Sequence, residues 1–222
     1  MGKAGRLVDL SHEIRHGMTT YKGLPGPVIS VFRSREESRP HYTGGTEFII
    51  GRIDMVANTG TYVDSPFHRY ADGTDLAGLA LESLADLEGL VVRPGPGVRA
   101  VDRGWFEGLE LKGKAVLVHT GWDRHWGTES YFGDNPFVTE EAARLLEQAG
   151  AALVGIDSLN IDDTRDGRRP AHSILLGAGI PVVEHLTGLD QLPEMGFRFF
   201  AVPVKVRDFG SFPVRAFAII DG

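Results

Sequence analysis

Asp64 and His68 stand four residues apart in Asn58-Thr59-Gly60-Thr61-Tyr62-Val63-Asp64-Ser65-Pro66-Phe67-His68, with a proline between them. A carboxylate and a neutral imidazole converging on one point can ligate a divalent cation or share a proton in acid–base chemistry. Two side chains do not complete a catalytic metal site, which takes three protein ligands and keeps a position for water. The distant candidates are His172 and Glu184, in AHSILLGAGIPVVEHL. With His172 opening a helix and Glu184 ending the next strand, the connection brings both to one edge of a sheet. His185 adjoins Glu184, and neighbours on a strand point to opposite faces, so one of the pair faces the site. Each residue also has a plainer reading. Asp64 before Ser-Pro suits a turn, His68 a surface position, His172 a first helical turn and Glu184 an exposed strand end. Residue type and spacing leave both readings open.

Positioning four such side chains takes several strands and at least one helix. Short runs rich in β-branched or aromatic residues predict strands at 7–10, 47–56, 90–93, 115–119, 152–156, 181–184, 197–206 and 214–220. The last two flank Asp208-Phe209-Gly210-Ser211, which has the composition of a turn between paired strands. Thr139 can cap a helix over 140–149, with Glu140 and Glu141 at the positive end of its dipole and Gly150 as its stop. A second helix is predicted over 171–178, with Pro170 suited to its first turn, and a short third over 81–87. The helix–glycine–strand order at 139–156 argues for an α/β fold, a mixed β-sheet with flanking helices. No linker, repeat or low-complexity tract divides the chain, so residues 1–222 are expected to form a single domain.

Composition narrows the partners. Hydrophobic residues make up 42% and charged residues 24%, an ordinary globular balance with enough apolar chain for a core. Net charge is −7 and no Lys/Arg run exceeds two residues. Nucleic acid or an anionic membrane would want a basic stripe, so neither is expected; a small-molecule substrate is. The absence of cysteine excludes disulfide and thiolate chemistry and fits a cytoplasmic location. No window of 18 apolar residues and no apolar signal region is present. Tyr21, Phe48, Phe67, Trp122 and Trp126 are candidates to wall a flat apolar pocket, core packing being their plainer role.

NTGTYVDSPFH resembles the HxGTHxDxPxH signature of the cyclase-like metal-dependent hydrolases, which include bacterial kynurenine formamidases and isatin hydrolases. DLSHEIRHGMTTYKGLPGP at 9–27 resembles the family's opening DLSxPIxxGMPxYPGxP. VLVHTGWDRHW at 116–126 is similar to its internal strand and turn, and GIDSLNID at 155–162 to its GIDSxSxD. The order holds to the PVVEHL region, across nearly the whole chain. The resemblance implies a cyclase-like (swivelling β/β/α) fold and a homo-oligomer, a homodimer or homotetramer. It also implies hydrolysis of the amide in an N-formyl aryl amine or a strained lactam. Carried over by position, it implies Asp64, His68 and Glu184 as metal ligands. His172, twelve residues before Glu184, would serve the proton transfers.

Two signature histidines are replaced here by Asn58 and Tyr62. Neither an amide nor a phenol with a pKa near 10 replaces an imidazole as a ligand at neutral pH. The expectation is therefore one divalent metal (Zn²⁺, Mn²⁺ or Mg²⁺) or none, the oxygen-rich set shifting the balance towards harder ions. Asn58 and Tyr62 become pocket residues that donate hydrogen bonds to a developing oxyanion. Without metal, Glu184 or Asp64 would orient His172 or His68 as general base, with Tyr62 as the acid. The same scaffold would also serve lactone or ester hydrolysis, or non-catalytic small-molecule binding.

Overall fold

The computed structural model describes residues 5–220. Strands β1 (Arg6–Asp9), β2 (Val28–Arg33), β3 (Ile50–Asp54) and β4 (Tyr62–Asp64) come first. β5 (Leu87–Val92), β6 (Ala100–Val101), β7 (Ala115–Val118), β8 (Phe137–Val138) and β9 (Leu153–Ile156) follow. The last are β10 (Val182–Glu184), β11 (Phe197–Phe200), β12 (Ser211–Pro213) and β13 (Phe217–Ile220). The α-helices are α1 (Arg35–Ser38), α2 (Glu140–Gln148) and α3 (Pro170–Gly177). Among the described residues no helix is long and apolar enough to cross a membrane.

Nine strands form one curled, mixed sheet in the order β1-β13-β11-β5-β7-β9-β10-β4-β12. Its centre, β5-β7-β9-β10, is parallel, and both flanks are antiparallel. Parallel strands are covered on both faces, which is why β7 and β9 are apolar runs buried from end to end. On one face α2 and α3 pack together over a core that includes Val116, Val154, Leu146, Leu175 and Val182. On the other, Leu117, Leu153, Val183, Phe197 and Phe199 meet Val8 and Ala218 from the curled end of the sheet. α2 starts where Thr139 accepts from the Ala142 N–H at 3.3 Å and stops before Gly150, whose φ of 74° suits a residue without Cβ.

The α/β class and mixed sheet agree with the sequence reading, while several element boundaries do not. The 47–56 run is a strand only at β3, and it pairs with β2 in a separate hairpin whose strand residues are all exposed. β2 lies outside the expected set. The strand expected over 197–206 stops at Phe200, ahead of Pro203, which has no N–H to give a ladder. Residues 208–211 do not turn between paired neighbours. Ser211 opens β12, which pairs with β4 at the far edge of the sheet from β11 and β13. The 81–87 segment holds one 3-10 turn, Leu81–Ser83, and Asp86 in a left-handed conformation (φ 62°) precludes a longer helix.

Candidate active site

β4 lies between β10 and β12, and its register places the polar side chains. Tyr62 is opposite Glu184 and Pro213, Val63 opposite Val183 and Phe212, and Asp64 opposite Val182 and Ser211. Side chains alternate across a strand, so Tyr62, Asp64, Glu184 and Ser211 share one face while Val63 and Val183 enter the core on the other. The turn into β4 needs Gly60 left-handed (φ 68°), and a Cβ there would stand 3.0 Å from the Ile14 side chain. Thr61 ties that turn to the end of β10, donating to the His185 carbonyl at 2.6 Å and accepting from the His12 N–H at 3.0 Å.

After β4, Pro66 starts a 3-10 turn ending at His68. The Ser211 hydroxyl donates to Asp64 Oδ1 and lies 2.9 Å from His68 Nδ1. A hydroxyl has one proton, and with that proton on Asp64 the oxygen accepts from Nδ1–H. Neutral His68 is thereby left with an unprotonated Nε2.

α3 delivers His172, and its first turn is capped from a distance. Asp162 accepts from the Ala171 N–H at 2.7 Å and the His172 N–H at 3.1 Å, and its Oδ2 lies 2.7 Å from His172 Nδ1. One carboxylate thus caps the helix and fixes the imidazole. Nε2 then points between Asp64 Oδ2 and Glu184 Oε1, 3.5 Å from each. Glu184 is held by the Tyr62 hydroxyl at Oε2 and by the Ile161 N–H at Oε1, at 2.6 Å. A cavity of about 250 Å³ opens here, lined by Tyr21, Leu24, Asn58, Tyr62, His68, Arg69, Asn160, Arg169, His172 and Glu184.

Three buried carboxylates, Asp64, Asp162 and Glu184, surround one buried imidazole. Burial alone would push the His172 pKa down, but attraction to Glu184, the hydrogen bond to Asp162 and the nearby Asp64 carboxylate outweigh it and raise it to about 10. Burial raises Glu184 above the usual carboxylate range, with His172 pulling the other way. Burial, then the charges of Glu184 and Asp64, lift the Tyr62 phenol far above its ordinary value, so it donates a hydrogen bond and does not ionise. Among the described residues Asp64 Oδ2 is buried and accepts no hydrogen bond, His172 Nε2 standing 3.5 Å away, and a cation would satisfy it. Asp64, His68 and His172 each offer a ligand atom within 4.8 Å of the other two. The residues fit a divalent cation.

The six side chains singled out from sequence, Asn58, Tyr62, Asp64, His68, His172 and Glu184, stand around this one site. Two features differ from expectation. The ligand atoms that converge most closely are those of Asp64, His68 and His172, with Glu184 Oε1 alongside at 3.5 Å from His172 Nε2. The Tyr62 hydroxyl is directed at Glu184 instead of standing free for an oxyanion. Glu184, not His185, lines the cavity; the His185 ring lies against Tyr62, Trp126 and Tyr131.

Of the aromatic candidates, Tyr21 lines the cavity and the others do not. Phe48 is exposed and Phe67 half-buried. Trp122 Nε1 donates to the Tyr131 carbonyl at 3.0 Å, and Trp126 stacks on His12 at 3.9 Å. Asp162, Ser211, Asn160, Arg69 and Arg169 are site residues that sequence reasoning missed. GIDSLNID contains Asp162, but it lies eight positions before Pro170, too far for a cap to show. Ser211 gives no signal, since only strand pairing brings it to Asp64.

Residues 8–163 match a family model described as putative cyclase. A kynurenine formamidase of Bacillus cytotoxicus is 26% identical over 217 residues, covering 96% of this chain and 97% of its own. One from Geobacillus thermodenitrificans is 26% identical over 209 residues, covering 87% and 97%. Among solved structures, isatin hydrolase A from Labrenzia aggregata, bound to benzyl benzoate, shares the fold with a TM-score of 0.82 at 21% identity, covering 98% of this chain and 94% of that one. A potential metal-dependent hydrolase with cyclase activity gives a TM-score of 0.81 at 25% identity, covering 99% and 100%.

Proposed function

The chain belongs to the putative cyclase family, and from that premise we propose that it hydrolyses the carbon–nitrogen bond of a small aryl amide, a formylated aryl amine or a cyclic amide. The observation that carries the reading is His172, buried at the cavity floor, with Asp162 at Nδ1 and with Nε2 turned to Asp64 and Glu184. Relatives named kynurenine formamidase support an amide substrate.

We assign a divalent cation to Asp64, His68 and Glu184, where it would polarise the amide carbonyl and lower the pKa of a bound water. Ser211 keeps His68 in the tautomer with a free Nε2. His172 holds a proton at Nε2 and gives it to the nitrogen as the carbon–nitrogen bond breaks, a role worth roughly 10²–10⁴-fold. The acyl carbon keeps the oxygen of the attacking water and the nitrogen leaves as an amine. Asn58 faces the cavity as an amide donor for the oxyanion, and Tyr62 fixes Glu184. Tyr21 and Leu24 give the aryl ring an apolar wall.

A second reading makes His172 the third ligand and Glu184 the proton carrier, and the converging atoms of Asp64, His68 and His172 favour it. His172→Ala separates the two. The variant is titrated with Zn²⁺ and Mn²⁺ by calorimetry and assayed on N-formylkynurenine and isatin. Metal binding retained with kcat reduced at least about 100-fold is expected. Loss of the metal together with the rate would favour the second reading, and full activity would overturn both.

The cytoplasm and a homodimer or homotetramer complete the reading. The chain has no cysteine, which supports the first. The hairpin β2–β3 supports the second, exposing Val31, Phe32, Ile50 and Ile53 where an isolated two-stranded ribbon is marginal in water.

A further inference from the structure

We propose that Arg69 and Arg169 form an anion subsite at the mouth of the cavity and that the amide substrate carries a carboxylate. The proposal rests on the amide-hydrolase reading above. Both arginines line the cavity, and among the described residues neither has a carboxylate within ion-pair distance. The chain holds 30 acidic residues against 23 Lys and Arg, so unpaired arginines do not reflect a surplus of base. One short segment shows the contrast. Arg165 pairs with Asp163 at 3.0 Å and Arg168 with Asp166 at 2.8 Å. Arg169 gives a single bond, from Nη1 to the neutral Asp163 carbonyl at 2.9 Å.

Arg69 is held in a similar way. Its Nε donates to the Ser173 hydroxyl at 3.1 Å, and its guanidinium lies 5.2 Å from the centre of the Tyr70 ring. Each guanidinium is therefore anchored through one N–H to a neutral oxygen and keeps its other donors for a ligand. The backbone at Arg169 is left-handed (φ 50°), a conformation that favours glycine or asparagine. A long side chain kept in such a conformation beside a cavity points to use of that side chain.

Charge is graded along the cavity. Glu184 and His172 are its buried lining, with buried Asp64 and Asp162 beside His172, whereas Arg69 is exposed and Arg169 half-buried. The acidic floor repels an anion and the basic rim holds it in the paired geometry that guanidinium groups give carboxylates. A substrate with both groups therefore enters one way, with its neutral amide towards His172.

The test uses a matched pair, 3-formamidobenzoate and formanilide, with metal-loaded wild type, the single variants Arg69→Gln and Arg169→Gln, and the double variant. Wild type is expected to favour the carboxylate at least tenfold in kcat/KM. That ratio should fall in each single variant and approach one in the double variant. Raising ionic strength should shrink the wild-type preference, because the rim is exposed. A wild-type ratio near one, or a preference unchanged in the double variant, overturns the proposal. Should neither compound be turned over, the amide-hydrolase reading fails, and calorimetric binding of the same pair still decides the subsite. There, tenfold tighter binding of the carboxylate, lost in the double variant, supports it, and equal binding refutes it.

Discussion

His185 shares a peptide bond with Glu184 and faces a different world. Its φ is 59°, a left-handed turn that directs the ring away from the cavity, and its Nε2 lies 2.8 Å from the Leu159 carbonyl. Among the described residues its Nδ1 has no hydrogen-bond partner, and burial depresses its pKa to about 4. Folded His185 thus stays neutral between pH 6.5 and 4, where the unfolded chain takes up a proton. Stability is present above the unfolded pKa and is lost as pH falls through about 4, by up to roughly 3 kcal/mol from this residue. His185→Asn, chosen because asparagine tolerates the backbone angle, should flatten that acid limb by close to one proton in urea unfolding measured from pH 7 to 4. An unchanged slope would show that His185 is not buried neutral. At this scale the sequence exposed chemistry but not partnership. Asp64 and His68 were legible because one turn joins them. Asp162 was not, because its link to His172 exists only once α3 has folded onto the sheet.

β12 shows what that reading missed at the scale of elements. Composition marked 208–211 as a turn between paired neighbours, but the segment leads into β12 and packs on Asp75, Leu76 and His68. The Gly210 carbonyl accepts from the Ser65 N–H at 2.7 Å and its hydroxyl at 3.0 Å, pinning β12 against the loop after β4. A Cβ on Gly210 would lie 2.6 Å from His68 Cα and 2.7 Å from its N, both backbone atoms that cannot swing aside. Gly210→Ala should cost about 1–3 kcal/mol in thermal or urea unfolding, as overpacking does. It should also displace His68 and weaken metal binding in a calorimetric titration. Wild-type stability and affinity in the variant would show that this approach is loose. The parallel centre was legible because strands buried on both faces are continuous apolar runs. β4 and β12 are three residues each, shorter than any periodicity can reveal, and they carry Asp64, Tyr62 and Ser211.

At the scale of the whole molecule, β2–β3 is an apolar ribbon set outside the two cores, with Val28, Ile29, Val31, Phe32, Ile50 and Ile53 all exposed. Phe32 is 66% exposed and Ile53 56%, on a hairpin whose two strands, among the described residues, pair with each other alone. A homo-oligomer built through this ribbon predicts that Phe32→Ser with Ile53→Lys lowers the sedimentation coefficient to that of a single chain, with the circular dichroism of the main sheet retained. A wild-type protein that already sediments as a single chain would refute that assembly. The ribbon is also joined to the cavity. Tyr21 and Leu24, its apolar wall, lie in the segment that runs directly into β2 at Val28. Association and catalysis would then share a stretch of chain. The rate per active site would depend on how much enzyme is in the cuvette, falling on dilution below the assembly's dissociation constant and recovering on reconcentration.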